Sequence, residues 1–146
     1  MRILVQRSKK SNVSVNNNIV GSINNGLVLL VGFTHNDTKE DIIKLAKKVV
    51  NLRIFDDENG VMNKSLLDVG GQILSISQFT LYGDCTKGNR PSYIAAMKGE
   101  EAINLYDEFN EELRKYGVIV ETGIFGEMMS VNINNYGPTT IWLESR

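Results

Sequence analysis

The chain has 146 residues, and 42% of them are hydrophobic, which is enough for one domain with a sizeable core and too many for a disordered chain. The formal net charge of −1 excludes a broadly basic nucleic-acid-binding domain, so any nucleic-acid partner would be held by a few local cations. The one histidine and one cysteine can form neither an intrachain disulfide nor a standard zinc site, and we expect neither a metal ion nor a cofactor.

The sequence contains no stretch typical of a targeting segment or a membrane span. The longest apolar run, from Leu27 to Phe33, is too short to cross a bilayer, so we expect no membrane partner. Without a signal peptide or a pair of cysteines, the sequence favours a reducing compartment. We therefore expect the protein to be cytoplasmic.

The first part of the chain alternates short apolar runs with turn signals, which is typical of β-strands. Four strands are predicted, at residues 1–7, 11–15, 19–23 and 27–33. The asparagine cluster at 16–18 joins the second and third strands as a hairpin. Connections this short favour antiparallel pairing.

Two later stretches carry apolar residues at helical spacing. The first begins after Thr38, a predicted N-cap with Asp41 as its capping-box partner, and continues through Val50. The second is predicted over residues 99–116, with Gly117 as its C-cap.

Short apolar segments between and after these helices complete the predicted fold. Further strands are predicted at residues 53–55, 61–62, 73–76, 118–120, 128–133 and 139–143, with a connector at 65–68 and a short helical turn at 93–97. About eight strands and two helices indicate an α/β class: a mixed, largely antiparallel β core of two packed sheets with helices on one side.

The stretch Ser77-Gln78-Phe79-Thr80 follows a buried strand and precedes the polar loop 83–92. Small-molecule chemistry often takes place where a strand ends and a loop begins. Consecutive main-chain N–H groups and a threonine hydroxyl at such a position could stabilise a developing oxyanion.

A second marked stretch, Gly137-Pro138, lies near the end of the chain. Proline fixes φ and lowers the cost of a cis bond, and glycine lets another backbone approach closely. We expect this stretch to meet residues 77–80 in one site, although the dipeptide alone is also typical of a plain turn.

The side chains used by most hydrolases are absent or unsupported. His35 is predicted to be a solvated loop residue, which excludes a Ser–His–Asp triad. Cys85 has no obvious neighbouring base to form its thiolate. The acidic segment 56–58 is typical of a solvated hairpin tip. The remaining candidate is main-chain chemistry at the strand end.

Motifs along the whole chain resemble those of the D-aminoacyl-tRNA deacylase family. The most specific pair is Ser-Gln-Phe-Thr-Leu at 77–81 and Asn-Tyr-Gly-Pro-Thr-Thr at 135–140, in this order and at this separation. Further matching motifs are Gln6-Arg7, Arg53-Ile54-Phe55, Met62-Asn63, Arg90-Pro91-Ser92, Thr122-Gly123-Ile124-Phe125 and Thr140-Ile141-Trp142-Leu143.

The resemblance implies that residues 1–146 form a single D-aminoacyl-tRNA deacylase domain, which hydrolyses the ester between a D-amino acid and the 3′-terminal adenosine of tRNA. It also implies a homodimer. Gly137 and Pro138, joined by a cis bond, would enter the partner's pocket and act as the chiral filter. Arg7 would brace this turn, and Phe125 would stack on the terminal adenine. A main-chain filter reads only the geometry at Cα, so achiral glycine would not be excluded.

The resemblance and the strand-end chemistry together suggest a catalytic set made of Ser77, Gln78, Phe79 and Thr80. The ester carbonyl would lie near the N–H groups of Gln78 and Phe79, with Thr80 supplying a hydroxyl. We favour attack by water assisted by the tRNA 2′-hydroxyl, and Thr80 as an acyl-enzyme nucleophile is the rival mechanism.

Three further possibilities stay open at this point. Lys87 and Arg90 could meet a few phosphates of the acceptor end, or could be solvated loop residues. The protein could instead hydrolyse free D-aminoacyl small molecules. It could also be a non-catalytic binding module for a nucleotide end or a peptide.

Overall fold

The computed structural model describes residues 1–146 and contains ten strands, three helices and one 3-10 turn. The strands are β1 (Arg2–Ser8), β2 (Ser11–Val15), β3 (Asn18–Ile23), β4 (Gly26–Gly32), β5 (Phe55–Asp56), β6 (Met62–Lys64), β7 (Gln72–Ser77), β8 (Val120–Thr122), β9 (Ser130–Asn132) and β10 (Asn135–Glu144). The helices are α1 (Lys39–Asn51), α2 (Leu66–Val69) and α3 (Gly99–Arg114), and the 3-10 turn is Phe79–Tyr82. None of the helices is both long and apolar enough to cross a membrane.

The strands form a five-stranded main sheet, a three-stranded sheet and a two-stranded hairpin. The main sheet has the order β10-β1-β4-β7-β8, the second sheet has the order β3-β2-β9, and β5 pairs with β6. Strand β1 is antiparallel to both of its neighbours, whereas β4, β7 and β8 run parallel. The predicted α/β class is confirmed, and half of the main sheet is parallel because the long connection from β4 to β7 contains α1.

The two faces of the main sheet are covered differently. Alternate residues of β4 point to opposite faces, so Leu27 and Leu29 pack in the large core beneath α1 and α3, while Val28 packs in a small core beneath the three-stranded sheet. The predicted arrangement, with two sheets and helices on one side, is therefore confirmed.

The predicted start of α1 is also confirmed. The Thr38 hydroxyl accepts a hydrogen bond from the Asp41 N–H, and the Asp41 carboxylate accepts one from the Thr38 N–H at 2.8 Å. This capping box satisfies two N–H groups that have no acceptor inside the helix.

Several predicted boundaries were wrong where tertiary contacts decide the local structure. The segment 93–97 is not helical, because Ala96 forms a bridge with Thr34. The predicted connector 65–68 is instead the N-cap Ser65 followed by the first three residues of the short helix α2. Helix α3 ends at Arg114, and Gly117 adopts a left-handed φ of 78° beyond the actual C-cap.

Candidate active site

A cavity of about 720 Å³ opens at the end of β7. Four of the residues that the sequence singled out line it: Ser77, Gln78, Phe79 and Phe125. The remaining lining is mostly apolar and consists of Val31, Gly32, Phe33, Ile76, Tyr93, Ala96, Met97, Gly99, Ala102, Gly126, Glu127, Met128, Met129 and Val131. An apolar cavity with a few polar groups at one end is typical of a small-molecule site.

The main-chain N–H groups that follow β7 differ in whether they already have a hydrogen-bond acceptor within the chain. The Gln78 N–H, which the sequence analysis expected near the ester carbonyl, donates to the Val31 carbonyl at 2.7 Å and is therefore already occupied within the chain. The next two N–H groups, of Phe79 and Thr80, begin the 3-10 turn. The first N–H groups of a helical turn have no acceptor inside it. They are therefore the donors that a substrate oxygen can meet.

Thr80 directly follows the lining residue Phe79, but it is exposed and is not itself among the lining residues. Its hydroxyl oxygen accepts a hydrogen bond from the Gln78 side-chain amide. An amide nitrogen is a donor only and cannot remove a proton. The contact therefore orients the Thr80 hydroxyl and leaves its hydrogen free to donate, but does not activate it as a nucleophile.

The position of the 3-10 turn is fixed by contacts from the neighbouring strands. Arg2 Nη1 donates to the Leu81 carbonyl at 2.9 Å. A Cβ added to Gly32 would lie 2.8 Å from the Gln78 carbonyl oxygen, so glycine is required for this close approach of two backbones.

The Phe125 ring packs against the buried ring of Tyr106. The centres of the two rings lie 5.8 Å apart, with the two planes tilted by 45°. The Tyr106 hydroxyl donates to the Ser75 carbonyl at 2.8 Å, and burial raises the pKa of this hydroxyl above its ordinary value, so it stays protonated. Tyr106 thereby joins the Phe125 ring to β7.

Gly137 and Pro138 lie inside β10, where the pairing with β1 shifts from Gln6–Thr140 to Ser8–Asn135 and the strand makes a local turn. The peptide bond between them is cis, and both residues are exposed. The turn is held by Arg7, which is buried: its Nε donates to the Tyr136 carbonyl at 3.0 Å and its Nη1 to the Ile54 carbonyl at 2.9 Å. A Cβ added to Gly137 would lie 2.5 Å from Arg7 Nη2, and the φ of Gly137 is 122°.

Within one chain, the turn and the cavity lie at opposite ends of the main sheet. At one end, Arg2 pairs with Gly32, beside the end of β7. At the other end, Ser8 pairs with Asn135, two residues before Gly137. The length of β1 between them is about 20 Å. A single chain therefore does not bring the two predicted parts of the site together.

Sequence analysis missed part of the cavity wall. Glu127 is the only carboxylate among the lining residues, and Met97, Met128 and Met129 add flexible apolar surface. The one available signal was the alternation at 128–133, which predicted a half-buried strand without indicating what it faces. Met129 is indeed partly buried there, while Met128 is 90% exposed.

The other candidate side chains lie outside the cavity lining. His35 is exposed, and its Nε2 lies 2.9 Å from the Ile94 carbonyl oxygen, which can only accept, so this nitrogen carries the proton. Cys85 is exposed in the loop that follows the 3-10 turn Phe79–Tyr82. In the acidic segment, the N–H groups of Val61 and Asn59 hold the pKa of Asp57 below its usual value, as in a self-capped hairpin.

Comparison with known proteins gives one family. The family described as D-Tyr-tRNA(Tyr) deacylase matches residues 4–144. The D-aminoacyl-tRNA deacylase of Bacillus cytotoxicus is 59% identical over 146 residues, which are 100% of both chains. That of Anoxybacillus flavithermus is 58% identical, again over 100% of both chains.

A solved structure named c-Myc DNA Unwinding Element Binding Protein is 39% identical to this chain, with a TM-score of 0.94. The match covers 100% of this chain and 99% of that chain. The identity and coverage of the curated relatives confirm the resemblance read from the motifs. The chain therefore belongs to the D-aminoacyl-tRNA deacylase family, whose members hydrolyse the aminoacyl-tRNA ester bond.

Proposed function

We propose that this protein hydrolyses the ester between a D-amino acid, or glycine, and the 3′-terminal adenosine of tRNA, and rejects L-amino acids. Residues 1–146 act as one deacylase domain, in the cytoplasm where aminoacyl-tRNA is made. The observation that carries the proposal is the pairing of an apolar cavity, edged by the free N–H groups of Phe79 and Thr80, with an exposed and rigidly held Gly137–Pro138 turn.

The ester carbonyl would accept hydrogen bonds from the N–H groups of Phe79 and Thr80. Water attacks the carbonyl carbon, the oxyanion forms against these donors, and the Thr80 hydroxyl adds a third. The tetrahedral intermediate then expels the ribose 3′-oxygen, which takes up a proton. The neighbouring 2′-hydroxyl relays this proton from the attacking water, because Thr80 has no base beside it.

Stereochemical selection would come from the main chain of Gly137 and Pro138. Carbonyl groups that crowd one side of Cα exclude an L side chain whatever its size, and they leave the opposite side open. The largely apolar cavity then accepts many D side chains. Glycine has no side chain to exclude, so it is hydrolysed too.

The turn reaches the cavity only if a second copy of the chain supplies it. In one chain the two features are separated by the length of β1. A two-fold dimer uses the same surface on both subunits, so each turn can enter the other subunit's cavity and two equal sites form. The Arg7 hydrogen bonds hold the turn rigid for this purpose.

The tRNA end would be held by stacking and by a few cations. Phe125, supported by Tyr106, presents a ring on which the terminal adenine can stack. Lys87 and Arg90 lie in an exposed loop whose base is closed by two hydrogen bonds between Asp84 and Ser92, of 2.8 and 2.9 Å. These cations can meet phosphates near the cavity.

DNA binding is a second candidate, favoured only by the name of the structural neighbour that is 39% identical. It would be an additional activity of the same surface. Single-stranded DNA that inhibits hydrolysis of D-tyrosyl-tRNA at micromolar concentration would support it, and no competition at that concentration would remove it.

The stereochemical claim predicts that D-tyrosyl-tRNA is hydrolysed and L-tyrosyl-tRNA is not. The measurement compares release of tyrosine from both substrates at equal enzyme concentration, with glycyl-tRNA as a third substrate. Cleavage of the D and L forms at similar rates would overturn the main-chain filter.

Replacing Thr80 by alanine should reduce kcat by about 10²–10³, the usual effect of losing one oxyanion donor. Loss of a true nucleophile costs about 10⁶ in a well-studied protease. Thr80→Ser, which keeps the hydroxyl, should retain most of the activity. Detection by mass spectrometry of a D-aminoacyl adduct on Thr80 would instead establish the covalent mechanism.

Replacing Gly137 by alanine should lower kcat/KM for D-tyrosyl-tRNA by about 10², because the new methyl group displaces the turn from Arg7 and a shift of about 1 Å has that effect on a reaction. Gly117→Ala is the matched control: Gly117 also has a positive φ, but a Cβ there meets nothing within 4 Å. Equal activity of the two variants, with equal thermal stability, would contradict a role for the turn.

A dimer with one intact site can be assembled from two damaged chains. Chains carrying Phe125→Ala and Gly137→Ala, co-expressed with different tags and purified through both, should have about half of the wild-type activity per dimer. Each variant alone should be far less active. A turn that serves its own chain would leave both sites of the mixed dimer damaged, and no activity would be recovered.

A further inference from the structure

Lys9 lies beside the Gly137–Pro138 turn, Lys10 follows it in the chain, and neither lysine has a negative partner. Lys9 is hydrogen-bonded through its N–H to the Asn134 carbonyl at 3.0 Å, and its Nζ lies 4.3 Å from the centre of the Tyr136 ring. Lys9 and Lys10 are exposed, and neither takes part in a salt bridge. We call Lys9, Lys10 and Tyr136 the basic patch.

The third cation near the turn is used differently. Arg7 is buried, and its charge is paired with the Asp56 carboxylate at 3.3 Å. Its guanidinium is therefore committed to holding the turn. The charges of Lys9 and Lys10 are available to a partner.

We propose that the basic patch of one subunit binds the single-stranded 3′ end of the RNA whose terminal adenosine occupies the other subunit's cavity. The inference rests on the proposed function, and it adds an RNA-binding surface supplied in trans. The lysines meet phosphates just before the terminal nucleotide, and Tyr136 offers its ring to a base.

The chemistry of the patch fits single-stranded RNA. Phosphates along a flexible strand attract lysines, and bases without a pairing partner stack on aromatic rings. Tyr136 is 48% exposed, and its ring is contacted by two cations, the Lys9 ammonium at 4.3 Å and the Arg7 guanidinium at 5.2 Å from its centre. A base would therefore meet the part of the ring that these cations leave exposed.

The placement of the patch follows from the sheet. Tyr136 directly precedes Gly137, and Lys9 is bonded to the residue two before Tyr136. A turn that enters the partner's cavity therefore carries the patch to the rim of that cavity. In this arrangement the ester on the terminal ribose lies inside the cavity, and the phosphates of the preceding nucleotides pass over its rim.

Salt dependence tests the phosphate contacts. For the double variant Lys9→Ala and Lys10→Ala, the slope of log kcat/KM for D-tyrosyl-tRNA against log salt concentration should become shallower by about 0.7 per lysine. The control variant, Lys47→Ala with Lys48→Ala, removes the same charge from the exposed side of α1, where neither lysine is in a salt bridge, and should keep the wild-type slope.

A substrate that lacks phosphates shows whether the lysine substitutions weaken RNA binding or instead disturb the Gly137–Pro138 turn. The D-tyrosyl ester of adenosine should be hydrolysed by the Lys9→Ala, Lys10→Ala variant at the wild-type rate. Equal slowing with both substrates would overturn the inference, and so would a slope equal to that of the Lys47→Ala, Lys48→Ala control. Failure of the unaltered protein to hydrolyse either substrate is a different result and would overturn the proposed function itself.

Two mixed dimers test whether the patch acts in trans. The first has the two lysine substitutions on one chain and Phe125→Ala on the other, so its working cavity receives intact lysines from the partner and should keep the wild-type slope. The second has all three substitutions on one chain and none on the other, so its working cavity receives the altered patch and should show the shallower slope. The opposite ranking would overturn the inference.

Discussion

The direction of β1 in the main sheet is the constraint on which the site depends. This strand lies between β4 and β10 and is antiparallel to both, so its first residues are beside the cavity and its last residues are beside the Gly137–Pro138 turn. The same hydrogen bonds that build the sheet keep the two features apart. A chain with this sheet can combine them only by association with a second copy, which makes the dimer part of the proposed chemistry.

In the mechanism that we propose, main-chain groups take the roles that side chains have in most hydrolases. The Thr80 hydroxyl is oriented by an amide that cannot accept its proton, and the free donors are N–H groups at the start of a 3-10 turn. A site of this kind recognises the geometry of the ester and of Cα more than the side chain. A largely apolar cavity of about 720 Å³ agrees with this, because it gives room without demanding one particular partner.

The cations of the protein divide into two groups by burial. Arg7 is buried, hydrogen-bonded to two carbonyls and paired with a carboxylate, so its role is to hold a turn. Lys9, Lys10, Lys87 and Arg90 are exposed and outside the salt bridges, so their charges are free to act on a polyanion. With these exposed cations, a net charge of −1 is compatible with an RNA substrate, because only the few phosphates at the acceptor end need a positive partner.

The sequence by itself determined the features that depend on near neighbours in the chain. Hydrophobic periodicity gave the hairpin, the two long helices and the fold class, and the capping box at Thr38 was readable because its partner is three residues away. Residues 77–79 and Phe125 were found as parts of one motif set, and the cavity brings them together. Only the tertiary structure decided the parallel half of the sheet, the bond that occupies the Gln78 N–H, and the separation of Gly137 from the cavity. Strand order and direction depend on hydrogen bonds between residues far apart in sequence, and a pattern of period two is the same whichever strand is the neighbour.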